Sequence, residues 1–268
     1  MSRSEIERSP AAESEAEPPR DRDQARAETA RLLEGHAPPD WGERFDTDRL
    51  IAAIVDGQPI QMFVMAADIR ESTLLMKEAV RFERFAFTMD KFVSAVRRGI
   101  GTPGGWFDKF TGDGFLAYWI VQPSSDEAGY QRDFVQAAGN IAHTAHELIE
   151  LFHRRVLEDF RRNSRNLSEG VGLSIGLDAG PGYLVQIAGD LTIVGPPVVG
   201  AVRMVTAASR PREIIANVFL GEHLHDEQSG IYAALGMTAT RESRPTKEYP
   251  RGQEVYALSF EEGEEVEA

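Results

Sequence analysis

Two hydrophobic periods alternate along this chain, and together they predict a mixed α/β domain. Apolar, β-branched and aromatic runs bounded by Gly, Asp or Pro predict strands over 60–67, 103–110, 113–121, 170–179, 181–188, 213–216, 232–241 and 253–260. Between them, apolar residues at three- and four-residue spacing predict helices over 72–99, 126–162, 197–208 and 217–223. In the first helix Leu75, Val80, Phe85 and Phe92 share a face, and Ser72 or Thr73 offers an N-cap. A lead-in helix is expected over 41–57, with Leu50, Ile51 and Ile54 at helical spacing. Residues 1–40 are polar and charged, carry Pro18-Pro19 and Pro38-Pro39, and hold one short helical patch, Arg26 to Glu34. A mostly disordered tail is expected there, and an acidic tail over Glu261–Ala268. Hairpins with interleaved helices in β-α-β-β-α-β order predict a ferredoxin-like α+β domain over 41–260, a central and mostly antiparallel sheet flanked by helices.

Composition narrows the picture. Of 268 residues, 42% are hydrophobic, enough for one large core. A formal net charge of −14 argues against a nucleic-acid surface, which needs clustered Lys and Arg. No apolar run approaches the roughly 18 residues of a membrane helix, and the N-terminus carries no hydrophobic signal segment. Cysteine is absent, which excludes disulfides, zinc thiolates and cysteine nucleophiles. The expectation is a cytoplasmic protein with neither nucleic acid nor membrane as partner.

Candidate chemistry gathers at two strand ends. Met62 to Thr73 reads as an apolar strand that ends in Asp68 and runs through Ile69-Arg70-Glu71 into Ser72-Thr73. Trp106 to Ala117 reads as strand, Gly-containing turn and strand, with Lys109 and Asp113 four residues apart around the turn. Two carboxylates at core strand ends, with hydroxyls beside one of them, suit oxygen-ligated Mg²⁺ or Mn²⁺ holding a nucleotide's phosphates. The six histidines show no metal-ligand spacing.

These stretches resemble the class III nucleotide cyclases. The second metal motif is complete as Asp108-Lys109-Phe110-Thr111-Gly112-Asp113-Gly114-Phe115-Leu116-Ala117, and the first is complete except for Glu71 at the usual Gly. Gly172 to Pro181 is similar to the family's Gly-x-x-x-Gly-x-x-x-Gly-Pro hairpin, and the likeness runs from about Met62 to Phe260. The resemblance implies that Asp68, Asp113 and the Ile69 carbonyl hold two divalent ions, Mn²⁺ or Mg²⁺. It implies that Ser72 and Thr73 lie at the phosphates, that Arg203 steadies charge on phosphorus, and that Lys247 meets the terminal phosphates. Lys109 and Thr192 fall on the two base-reading positions.

Two departures bear on activity and substrate. Val199 stands where the family has an Asn that contacts the transition state, and losing one such donor costs on the order of 10²–10³ in rate. Thr192 stands where adenylate cyclases have an Asp. A carboxylate accepts an exocyclic amine better than a hydroxyl does, whereas uracil offers carbonyls to Lys109 and an N–H to Thr192. Phe63 or Phe107 is expected to fill the room a purine needs. On this ground the chain resembles the pyrimidine cyclases of bacterial anti-phage (Pycsar) defence. The expectation is a homodimer that converts UTP to 3′,5′-cyclic UMP, with cytidylate or adenylate cyclase and an inactive nucleotide-binding module as alternatives.

Overall fold

The computed structural model describes residues 21–38, 41–121, 127–225 and 230–260. In chain order the elements are α1 (Arg22–His36), α2 (Trp41–Arg44), α3 (Thr47–Val55), β1 (Ile60–Arg70), α4 (Ser72–Glu78), α5 (Phe82–Gly101), β2 (Trp106–Phe110), β3 (Gly114–Ile120) and α6 (Glu127–Leu151). A π-helical turn over Phe152–Val156 leads into α7 (Leu157–Asn163). Then come β4 (Gly172–Ile187), β5 (Asp190–Val194), α8 (Pro196–Ala207), β6 (Ile214–Asn217), α9 (Val218–His225), α10 (Ile231–Leu235), β7 (Met237–Arg244) and β8 (Gln253–Phe260).

The strands form a sheet in the order β2-β3-β1-β4-β6-β8-β7, with β5 paired to the far half of β4. Every pairing is antiparallel except β4 with β6. β1 lies at the centre and is buried on both faces, which its near-continuous apolar run reflects. Phe63, Met65, Ala67 and Ile69 face a layer built from α5, α6, the π turn and α7. Met62, Val64 and Ala66 face the opposite layer, where Leu33 of α1, Leu50 and Ile51 of α3, Ala201 and Val205 of α8 and the inner residues of β5 pack. The α+β architecture expected from the element order is the one observed.

Several boundaries differ from the sequence expectation. Residues 22–36 form one helix, which takes in the helical patch expected over 26–34 and extends it into the stretch expected to be disordered; Leu33 is fully buried and Glu28 accepts a hydrogen bond from Gln186 of β4. The first 20 residues and the C-terminal tail lie outside the described residues. The lead-in helix is two helices, α2 and α3, the second capped by Asp46, whose carboxylate accepts the Arg49 N–H. The helix expected over 72–99 breaks where Ala79 bridges Ser164 and Val80 N–H donates to Asn163, so these residues give their backbone to the end of α7. The two strands expected at 170–188 are one strand. Pro181 falls near the last β1 pairs, and the turn lies instead at Ala188-Gly189, both at positive φ as a tight hairpin requires. Residues 231–235 are helical, and β7 begins only at Met237.

Candidate active site

The sequence-predicted site residues fall into three clusters. The first is built where the β2–β3 hairpin meets the end of β1. Asp68 pairs with Gly114, and the Ile69 N–H donates to the Asp113 carbonyl at 3.0 Å. Gly114 permits this approach, since a Cβ there would collide with the Ala67 carbonyl. Ser72 is the first residue of α4 rather than its N-cap; its hydroxyl donates to Asp113 Oδ2 at 2.7 Å and so orients that carboxylate. The cap position is Glu71, held in the left-handed region at φ 55°. That conformation explains why glycine is favoured there. The Glu71 carboxylate lies over Gly170. Thr73 is exposed.

Burial, and then the neighbouring charge of Asp113, push the Asp68 carboxyl up to about 6, with Arg70 opposing. Two carboxylates crowded together at the end of β1 are suited to a hard divalent cation, whose charge would offset both the burial and their mutual repulsion. Among the described residues no group of three or more His, Cys, Asp or Glu side chains could hold a metal. The acidic side chains brought together here are two, Asp68 and Asp113.

The second cluster joins the Lys109 and Thr192 positions directly. Lys109 Nζ donates to Thr192 Oγ1 at 2.9 Å. Asp108, a residue of the second motif with no role expected from the sequence, is the third member. The β2–β3 register shifts between Phe107 and Lys109, and this bulge lets the consecutive side chains Asp108 and Lys109 reach the same hydroxyl. Phe63 and Phe107 are not part of this pocket: both pack in the layer on the α5–α6 side of the sheet.

The third cluster surrounds Arg203 on α8. Its Nε is buried without a hydrogen bond and lies 3.5 Å from Glu248 Oε2. Glu248 sits beside the exposed Lys247 in a turn that Thr246 and Tyr249 close with reciprocal hydrogen bonds. Sequence reasoning found Arg203 and Lys247 but missed Glu248, which nothing but its adjacency to Lys247 marks. Val199 is half-exposed on the same helix.

No protein-family model and no curated protein sequence matches the chain. The fold is that of class III nucleotide cyclase catalytic domains. The adenylyl cyclase CyaB from P. aeruginosa superposes with a TM-score of 0.61 at 18% identity, over 76% of this chain and 96% of that one. The guanylyl cyclase Cya2 gives 0.58 at 16% identity, over 78% and 96%. The guanylate cyclase domain of RhGC from Catenaria anguillulae, in complex with GTP, gives 0.56 at 15% identity, over 76% and 98%.

Proposed function

We propose that this protein is a nucleotide cyclase that joins the 3′-oxygen of a nucleoside triphosphate to its α-phosphorus and releases pyrophosphate. The observation that carries the reading is the placement of Asp68 beside Asp113, with the Asp68 carboxyl raised to about 6 by burial and its neighbour. Mg²⁺ or Mn²⁺ held by Asp68, Asp113 and the Ile69 carbonyl would supply charge neutralisation at the phosphates and acidify the 3′-hydroxyl. In the reaction that hydroxyl loses its proton, the new O–P bond forms, and the bond to the leaving pyrophosphate breaks. Ser72 orients Asp113. Arg203 brings a guanidinium to the charge that builds on the phosphoryl oxygens. Lys247 and Thr73 lie on the exposed surface within reach of solvent-borne phosphates. Lys109 and Thr192 read the base.

UTP is the substrate we propose, made into 3′,5′-cyclic UMP as a second messenger of anti-phage defence. Uracil fits the pair, since O4 accepts from Lys109 while N3–H donates to Thr192. One observation favours a second reading. Thr192 is held as an acceptor by Asp108, so the amine of adenine or cytosine is not refused there on chemical grounds. A homodimer accords with the half-exposed apolar side chains Phe110, Val194, Val199 and Val202, on the elements that carry the second and third clusters, and Tyr183 and Ile187 on the neighbouring β4.

Asp68→Ala and Asp113→Ala test the core of this reading. Each is expected to remove turnover, a loss of at least about 10³-fold, while the melting temperature holds or rises because a crowded carboxylate is gone. Near-normal turnover in either variant contradicts the assignment.

A further inference from the structure

Asp108 carries a buried acidic side chain to which the reaction above assigns nothing. Its side chain is 0% exposed, beside a Lys109 side chain that is 50% exposed. Asp108 Oδ1 accepts the Ile193 N–H at 3.2 Å, and Oδ2 accepts the Thr192 hydroxyl at 3.1 Å and lies 3.4 Å from Lys109 Nζ. The chemistry of the groups fixes every direction in this chain. A carboxylate only accepts, an ammonium only donates, and a hydroxyl has a single proton. With that proton committed to Asp108 and one lone pair taken by Lys109 at 2.9 Å, Thr192 has only an acceptor left to offer a ligand. Lys109 keeps further N–H groups on its exposed side. The pair therefore presents a donor beside an acceptor, and the buried carboxylate, not the threonine, decides which is which.

We propose that Asp108 is the specificity-determining residue of the base pocket, acting without touching the base. By holding the Thr192 proton it favours a base that, docked with its ribose and phosphates in place, sets its donor at Thr192 and its acceptor at Lys109 over one that presents the opposite order. The inference rests on the reading that Lys109 and Thr192 face the base.

Asp108→Asn is the informative substitution, because it changes hydrogen-bond polarity at nearly constant shape. The Ile193 N–H still needs an acceptor, so the amide oxygen takes the Oδ1 position and the amide NH₂ faces Thr192. Thr192 then accepts from the amide and turns its proton outward, which leaves two donors facing the ligand. Binding of the four 3′-deoxynucleoside triphosphates, which lack the attacking hydroxyl, is measured by calorimetry with Mn²⁺ for wild type, Asp108→Asn, Thr192→Val and the double variant. The wild type is expected to prefer one base about tenfold to a hundredfold over the next. Each single variant is expected to weaken that base until the preference falls to a few-fold, and the double variant is expected to be no weaker than Thr192→Val alone. A uniform weakening of all four nucleotides by Asp108→Asn, adding in full to Thr192→Val, would overturn the inference and leave the cyclase reading standing. So would equal binding of all four by the wild type. If no triphosphate binds the wild type, both fall together. Should Asp108→Asn fail to fold, Thr192→Ser and Thr192→Val still decide: the serine variant must keep the preference and the valine variant lose it.

Discussion

Asp178 lies beneath α8 at Gly200, where any side chain would collide with its carboxylate. Burial dominates its chemistry and pushes its carboxyl up to about 7, although the Ala179 N–H at 2.7 Å and the Arg203 charge both pull it down. Asn217 also donates to it. The folded protein thus holds a proton that the unfolded chain sheds at an ordinary carboxylate pKa. Stability from this group is full below about pH 4 and is lost as pH rises through 7, by on the order of a few kcal/mol. Asp178→Asn is expected to flatten the fall in melting temperature between pH 4 and 8, as calorimetry would record; an unchanged pH profile would contradict the buried, protonated state. Asp68 and Asp113 stand out in the sequence because Asp68 closes an apolar run and Asp113 sits in the glycine-flanked turn before the next one, each within a dense motif. The role of Asp108 was not, since it depends on a bulge and on β5 folding back over β2, and neither has a local signature. The αL conformation of Glu71 was also hidden, because a charged residue gives no sign of positive φ.

Among the elements, α1 shows where periodicity fails as a guide. Only Thr29 and Leu33 of its 15 residues are buried, so a mostly polar helix leaves almost no apolar stripe in the sequence. One leucine nevertheless enters the cluster shared by α3, α8 and β5. Leu33→Ala is expected to cost about 2–5 kcal/mol, which lowers the melting temperature of a domain this size by roughly 5–15 °C. Melting curves within a degree of wild type would mean that α1 is not docked. The strands β1, β3 and β8 and the helix α6 were legible because their patterns persist over many residues. The breaks at 79–81 and at Phe152–Val156 were not, because tertiary contacts set them: a bridge to Ser164 in one case, and in the other a fully buried Phe152 packed on Phe92. Continuity of β4 across Gly180-Pro181 has the same origin, because β1 pairs up to Gly182 and β5 takes over at Tyr183.

At the scale of the whole molecule, the three clusters sit on different elements, and the proposed homodimer would bring them together through half-exposed apolar residues of β2, β4, β5 and α8. In an isologous pair each composite site would take its carboxylates from one protomer and Arg203 from the other. Mixing Asp68→Ala with Arg203→Ala, each inactive alone, is then expected to restore about a quarter of the wild-type activity, the share of intact sites in a random mixture. Absence of rescue, with subunit exchange verified by mass, would contradict shared sites. Among the described residues no helix is long and apolar enough to cross a membrane. The central claim is cyclisation itself, and mass spectrometry of the products from ATP, CTP, GTP and UTP with Mn²⁺ tests it most directly. The account predicts pyrophosphate together with a 3′,5′-cyclic nucleoside monophosphate, formed fastest from UTP. Unchanged triphosphate with all four, by protein that binds them, would contradict it and leave a nucleotide-binding module on a cyclase fold.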